Sequence, residues 1–177
     1  MKALSRWFVV FTVLSSLKAQ PSPPLRFEAS IPLPGVQGRI DHMSIDSQGG
    51  RLFVAALGNN TVEVVDVKHR KRIHTISGLH EPQGVLYVPA VNRLFVANGD
   101  DGTVRVFDGS SYAAIRTIPV GDDADNIRYG PERHLIYVGY GSGGIAVLAA
   151  DGTKIADIPL DAHPESFQLE KNGLACL

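Results

Sequence analysis

Arg51-Leu52-Phe53-Val54-Ala55 returns as Arg93-Leu94-Phe95-Val96-Ala97 and, in looser form, as His134-Leu135-Ile136-Tyr137-Val138. The first offset is 42 residues. The same spacing carries Thr61-Val62-Glu63-Val64-Val65-Asp66 onto Thr103-Val104-Arg105-Val106-Phe107-Asp108, and Gly144-Ile145-Ala146-Val147-Leu148 follows 41 residues later. It also carries His74-Thr75-Ile76 onto Arg116-Thr117-Ile118-Pro119-Val120, and then onto Ala156-Asp157-Ile158-Pro159-Leu160. A period of this length marks a repeat architecture, in which one supersecondary unit is written several times.

Within each unit the apolar residues are Val, Ile, Leu, Phe and Tyr in short runs with partial alternation, and no stretch keeps a 3.6-residue period. The separators are Gly-Asn-Asn, Gly-Asp-Asp-Gly, Gly-Ser-Gly-Gly and Asp-Gly-Thr. Gly, Asn and Asp tolerate the positive φ of tight hairpins, so the runs read as strands joined by turns. In the second unit they fall at about 83–88, 93–98, 103–108 and 113–118. Four antiparallel strands in about 42 residues is the spacing of a propeller blade. The expected fold is all-β, a partial β-propeller of four-stranded antiparallel blades at about 36–77, 78–119 and 120–160, with flanking strands and the start of a fourth blade in 161–177.

The segments Phe95-Val96-Ala97-Asn98 and Tyr137-Val138-Gly139-Tyr140, the strand ends at Asp66 and Asp108, and the run Glu81-Pro82-Gln83-Gly84-Val85 resemble the YVTN repeat of secreted, YncE-like β-propellers. The resemblance spans nearly all of Ile31 to Leu169. It implies a propeller fold and an exported protein. It implies little chemistry, because most members of that family lack an assigned activity.

Residues 1–19 read as a signal peptide: Lys2 and Arg6, an apolar stretch from Trp7 to Leu14, then small and polar residues ending at Ala19. That stretch is too short for the roughly 20 apolar residues of a membrane-spanning helix, so no permanent anchor is expected. A Pro-rich linker, 20–27, follows. The expected location is periplasmic or extracellular. The 177-residue chain has 17 Lys plus Arg against 18 Asp plus Glu, so it carries no broad basic surface for a polyanion. Its single Cys excludes an intrachain disulfide.

Propellers close a ring of typically four to eight blades. Glu28-Ala29-Ser30-Ile31-Pro32-Leu33 matches the fourth-strand endings at Ile118 and Ile158, and His163 to Leu169 matches a first strand. Three blades flanked by two unmatched strands predict a truncated relative, or fragment, of a longer propeller.

The repeat register places Asp41, Gln83, Asp125 and Glu165 at equivalent starts of the first, innermost strand, with His42, Gly84, Asn126 and Ser166 beside them. Those starts converge on one mouth of a propeller channel. Asp41, His42, Gln83, Asp125, Asn126 and Glu165 are therefore the candidate ligand-binding residues. Three carboxylates and a histidine there suit a metal or a polar ligand, and the same residues also read as solvated caps of strand starts. No cofactor is predicted; Ca²⁺ is the cation that the carboxylates would suit. Gly139-Tyr140-Gly141-Ser142-Gly143-Gly144 satisfies a dinucleotide-loop pattern, but a strand rather than a helix follows it, so it reads as a hairpin. Lys68-His69-Arg70-Lys71-Arg72 is the one basic run and reads as a solvated turn without interleaved aromatics, which disfavours nucleic acid. No nucleophile elbow is present, and no catalytic residue is assigned. The sequence thus reads as an exported, non-enzymatic module that binds a small ligand or a protein partner. The alternative is a propeller enzyme, a hydrolase or dehydrogenase-like protein with a metal or redox partner at the channel mouth.

Overall fold

The computed structural model describes residues 25–170. The proposed signal peptide 1–19, the first part of the linker 20–27 and the tail around Cys176 lie outside the described residues. Twelve strands follow one another: β1 (Met43–Asp46), β2 (Arg51–Ala56), β3 (Thr61–Asp66), β4 (Lys71–Ile76), β5 (Pro82–Val88), β6 (Arg93–Asn98), β7 (Thr103–Asp108), β8 (Ala114–Pro119), β9 (Ile127–Gly130), β10 (Leu135–Tyr140), β11 (Gly144–Ala149) and β12 (Lys154–Pro159). They form three four-stranded sheets, each antiparallel and each in chain order. The chain is all-β, and its three sheets are successive blades of a partial β-propeller.

The repeat is visible in the backbone. Gly50, Asn92 and His134 stand 42 residues apart in the turn between first and second strands, with φ of 66°, 48° and 54°. Glycine and asparagine adopt this left-handed region most readily. His134 holds it with its Nδ1 2.9 Å from the Tyr129 hydroxyl across the same hairpin. A register shift also recurs between third and fourth strands, at Val64/Val65, Val106/Phe107 and Val147/Leu148. Such a shift adds local twist to the outer edge of a blade.

Packing explains why the central strands read as apolar runs. In β6, Leu94 and Val96 pack toward Phe53 and Ala55 of the first blade. Phe95 and Ala97, on the opposite face, pack toward Ile136 and Val138 of the third. A strand covered on both faces has no solvated side to keep polar. Phe53 and Phe95 are fully buried, each stabilising the fold by about 2–3 kcal/mol relative to exposure. The outer strands β4, β8 and β12 are mostly exposed, but Ile76 and Ile118 near their ends reach the core.

Arg51 pins the first two blades together. Its Nε and Nη2 donate to Asp46 Oδ2 at 3.0 and 2.7 Å, and its guanidinium lies 5.1 Å from the Tyr87 ring centroid and 6.0 Å from that of Tyr112. Burial by itself would raise the Asp46 carboxyl. Hydrogen bonds from the Gly49 amide and Arg51 outweigh it and hold that group below the ordinary carboxylate range.

The two flanking segments differ from the strands expected of them. Ile31-Pro32-Leu33 runs without ladder pairing, because a fourth strand needs a third strand of its own blade, and none lies beside it among the described residues. Its apolar side chains instead line a groove on the bare face of the first blade with Ile40, Leu52 and Val54. Asn59 holds this segment, accepting from Gln37 N at 2.8 Å and donating to Gly35 O at 3.0 Å. The 163–169 segment likewise forms no regular strand, yet Phe167 is buried against Tyr137, Ile145 and Val147 on the far face of the third blade. No helix among the described residues is long and apolar enough to cross a membrane.

Candidate functional site

The first strand of each blade is the innermost, and β5 lies between β1 and β9. Asp41 and His42 precede β1 and are tied to β2: Asp41 N donates to Ala55 O at 2.9 Å, and Ala55 N donates to His42 O at 3.0 Å. Asp125 and Asn126 precede β9 and repeat the arrangement with Gly139, both bonds at 3.0 Å. Gln83 holds the corresponding place in β5, within a register shift between Pro82 and Val85, and its carbonyl accepts from His42 N at 3.4 Å. Gly84 lets the third blade approach closely, since a Cβ there would lie 1.9 Å from Asp125 O.

This backbone brings Asp41, His42 and Asp125 together. His42 Nδ1 lies 2.9 Å from Asp41 Oδ1 and 3.6 Å from Asp125 Oδ1. One donor atom from each of the three residues falls within 4.8 Å of the others. The Asp125 side chain is 9% exposed, that of Asp41 11% and that of His42 36%, so the carboxylates are largely buried and the ring is partly open to solvent. Asp41 Oδ2, His42 Nδ1 and Asp125 Oδ1 are all buried without a hydrogen-bond partner. Arg39 Nη2 sits 2.6 Å from Asp41 Oδ2, a charge contact out of hydrogen-bonding alignment. Burial pushes the Asp125 carboxyl above its ordinary value. The Asp41 and Asp123 charges push the same way, and His42 and His163 oppose them.

The other expected residues surround this group. Asn126 donates from Nδ2 to Asp125 Oδ2 at 3.1 Å and also to the Glu165 carbonyl. Gln83 Nε2 donates to Asp123 Oδ1 at 2.7 Å, which draws its amide to the side of the mouth. Glu165 stands apart, its side chain 84% exposed, with Oε1 3.5 Å from His163 Nδ1. Asp123, His163 and Arg39 complete the electrostatic surroundings; of these, His163 is the one whose sequence position near a first-strand start pointed here. His80 instead lies beside Asp100, its Nδ1 3.7 Å from Oδ2. The dinucleotide-like stretch is the β10–β11 hairpin, and Lys68 to Arg70 form the β3–β4 turn.

Among solved structures, the chain is similar to hydrazine synthase from Kuenenia stuttgartiensis, with a TM-score of 0.66 and 23% identity over 78% of this chain and 40% of that one. That protein contains a β-propeller. The fold is shared. The present chain spans about 40% of the length of that neighbour. In all, 804 solved chains match, so the shape is widespread and carries no particular chemistry with it. No protein-family model and no curated protein matches the sequence.

Proposed function

We propose that this chain is an exported β-propeller module of the YVTN, YncE-like kind, which binds a small cationic ligand at the mouth formed by the innermost strand starts. The observation that carries the reading is the meeting of Asp41, His42 and Asp125, in which His42 Nδ1 and Asp125 Oδ1 are buried without hydrogen-bond partners and Asp41 Oδ2 has only the Arg39 ion pair. Each unpaired buried polar group costs about 1–3 kcal/mol, so an arrangement that keeps His42 Nδ1 and Asp125 Oδ1 together beside a second carboxylate is best accounted for by a ligand that satisfies them. The carboxylates of Asp41, Asp123 and Asp125 face Arg39 and two histidines, which favours a cation. Glu165 at the rim adds a solvent-facing charge that draws cations inward.

The test is NMR titration of the full chain with guanidinium, a primary diamine and divalent metal ions, following the His42 ring signals. Selective shifts that vanish in an Asp41→Asn, Asp125→Asn double variant are expected. Unresponsive His42 signals with every probe would refute the binding reading. For export, residues 1–24 fused to a phosphatase that is active only outside the cytoplasm should give active enzyme, whereas an inactive fusion refutes export.

A further inference from the structure

We infer that the mouth is a site for a borderline divalent metal ion of the Zn²⁺ type, held by Asp41, His42 Nδ1 and Asp125; this rests on the ligand-binding reading and narrows it to one ligand class. Ligands at the roughly 2.0–2.2 Å bond lengths of zinc lie about 3.3 Å apart around a tetrahedral ion. The observed separations from His42 Nδ1 are 2.9 and 3.6 Å to the two carboxylates, and all three donor atoms fall within 4.8 Å of one another, so the ring needs to shift only a few tenths of an ångström and the two carboxylates close on each other by at most about 1.5 Å.

A metal-free alternative is an imidazolium shared between two carboxylates. That arrangement would aim the ring N–H at an oxygen, yet His42 Nδ1 lies 2.9 Å from Asp41 Oδ1 without an aligned hydrogen bond. Nδ1 and Asp125 Oδ1, 3.6 Å apart, are both buried without a hydrogen-bond partner, as two donor atoms of an unfilled metal site would be. Asp125 is 94% buried as a residue, since only 6% of its surface is exposed, and its other oxygen is already taken by Asn126.

The imidazole decides the class of ion. Ca²⁺ prefers six to eight oxygens at 2.3–2.6 Å, and the three residues that converge offer two carboxylates and one nitrogen. Imidazole nitrogen suits Zn²⁺ and its neighbours. The Ca²⁺ expectation drawn from carboxylates alone therefore gives way to a metal with nitrogen affinity. Three protein ligands leave coordination positions open, as in a site that takes water or a further ligand from the channel. Arg39 holds down the affinity by its contact with Asp41.

Isothermal titration of the chelator-treated full chain, with Zn²⁺ or Ca²⁺ as the sole probe, tests this. One equivalent of Zn²⁺ should bind more tightly than Ca²⁺. Asp125→Asn and His42→Gln should each weaken Zn²⁺ at least about tenfold, as ligand losses do. Arg39→Gln, at an exposed position, should strengthen it about two- to fivefold, and His42→Asp should shift preference toward Ca²⁺. Tighter Ca²⁺ binding by the parent chain overturns the inference, as does Zn²⁺ binding that survives both ligand substitutions. Absence of metal binding also overturns it. If guanidinium or a diamine still moves the His42 signals in that case, the broader ligand-binding reading stands; if neither does, both fail.

Discussion

Gly84→Ala tests the geometry that assembles the mouth. An added Cβ would lie 1.9 Å from the Asp125 carbonyl oxygen, about 1.5 Å short of the 3.4 Å at which ordinary contact begins, and 2.9 Å from Ile127 Cγ1. The nearest atom is main chain, so relief requires β5 and β9 to part rather than a side chain to swing. Overpacking costs about 1–3 kcal/mol, and a backbone clash belongs at the upper end, about 3 kcal/mol. With a urea m-value of about 2 kcal/mol/M, the unfolding midpoint should fall by about 1.5 M at unchanged slope. Gly144→Ala is the comparison: its Cβ would meet the Tyr140 ring, the hydroxyl at 2.2 Å and Cζ at 2.3 Å, so relief needs a side chain to swing rather than strands to part, and should cost about 1–2 kcal/mol. Gly84→Ala should also move Asp125 away from Asp41 and His42 and weaken cation binding. A Gly84→Ala chain within about 0.5 kcal/mol of the parent, or no less stable than Gly144→Ala, would refute the close-approach reasoning.

Asp46 has a lowered folded-state pKa, so its contribution is complete above the unfolded value and is lost as pH falls through the lower one. Urea midpoints measured below pH 4 should therefore fall less steeply with acid in Asp46→Asn than in the parent, and equal slopes would contradict the pairing with Arg51. Asp125 is the opposite case: its raised pKa gives stability that is present below the unfolded value of 3.8 and lost as pH rises through the folded value. In chelator, Asp125→Asn should melt above the parent at pH 7, with the gap closing at pH 3.5; a lower melting temperature at pH 7 would count against a desolvated carboxylate. Glu63 is 1% exposed and accepts from Thr61 Oγ1 and Thr75 Oγ1 at 2.7 Å and from Arg72 Nη1 at 3.1 Å. Glu63→Ala should cost about 2–3 kcal/mol and Thr75→Val about 1 kcal/mol by denaturant unfolding; near-neutral values for both would show that the network adds nothing.

The blades were legible because two periods are superposed in the chain. The repeat of Arg51-Leu52-Phe53-Val54-Ala55 at Arg93 located the units, and β6 and β7 fall at the expected 93–98 and 103–108. The turn residues Asn60 and Gly102 stand where a positive φ is required. The flanks were misread because a strand motif says what a segment can pair with, and pairing depends on a partner at hand. Ile31 and Phe167 carry the pattern of strand residues, yet without a ladder they serve as apolar cover for blade faces.

The candidate site divides in the same way. Repeat register placed Asp41, Gln83, Asp125 and Glu165 at one level of the propeller, because residues at equal phase in successive blades lie at equal height. It could not rank them. Side-chain direction turned Glu165 into solvent and drew Gln83 to Asp123, while the close approach at Gly84 set Asp125 beside His42. Local periodicity and turn chemistry, encoded within about 42 residues, determined the strands, their order in each sheet and the shared height of the acidic residues. Which of those residues meet was decided by the spacing between blades, a property of packing among residues far apart in the chain.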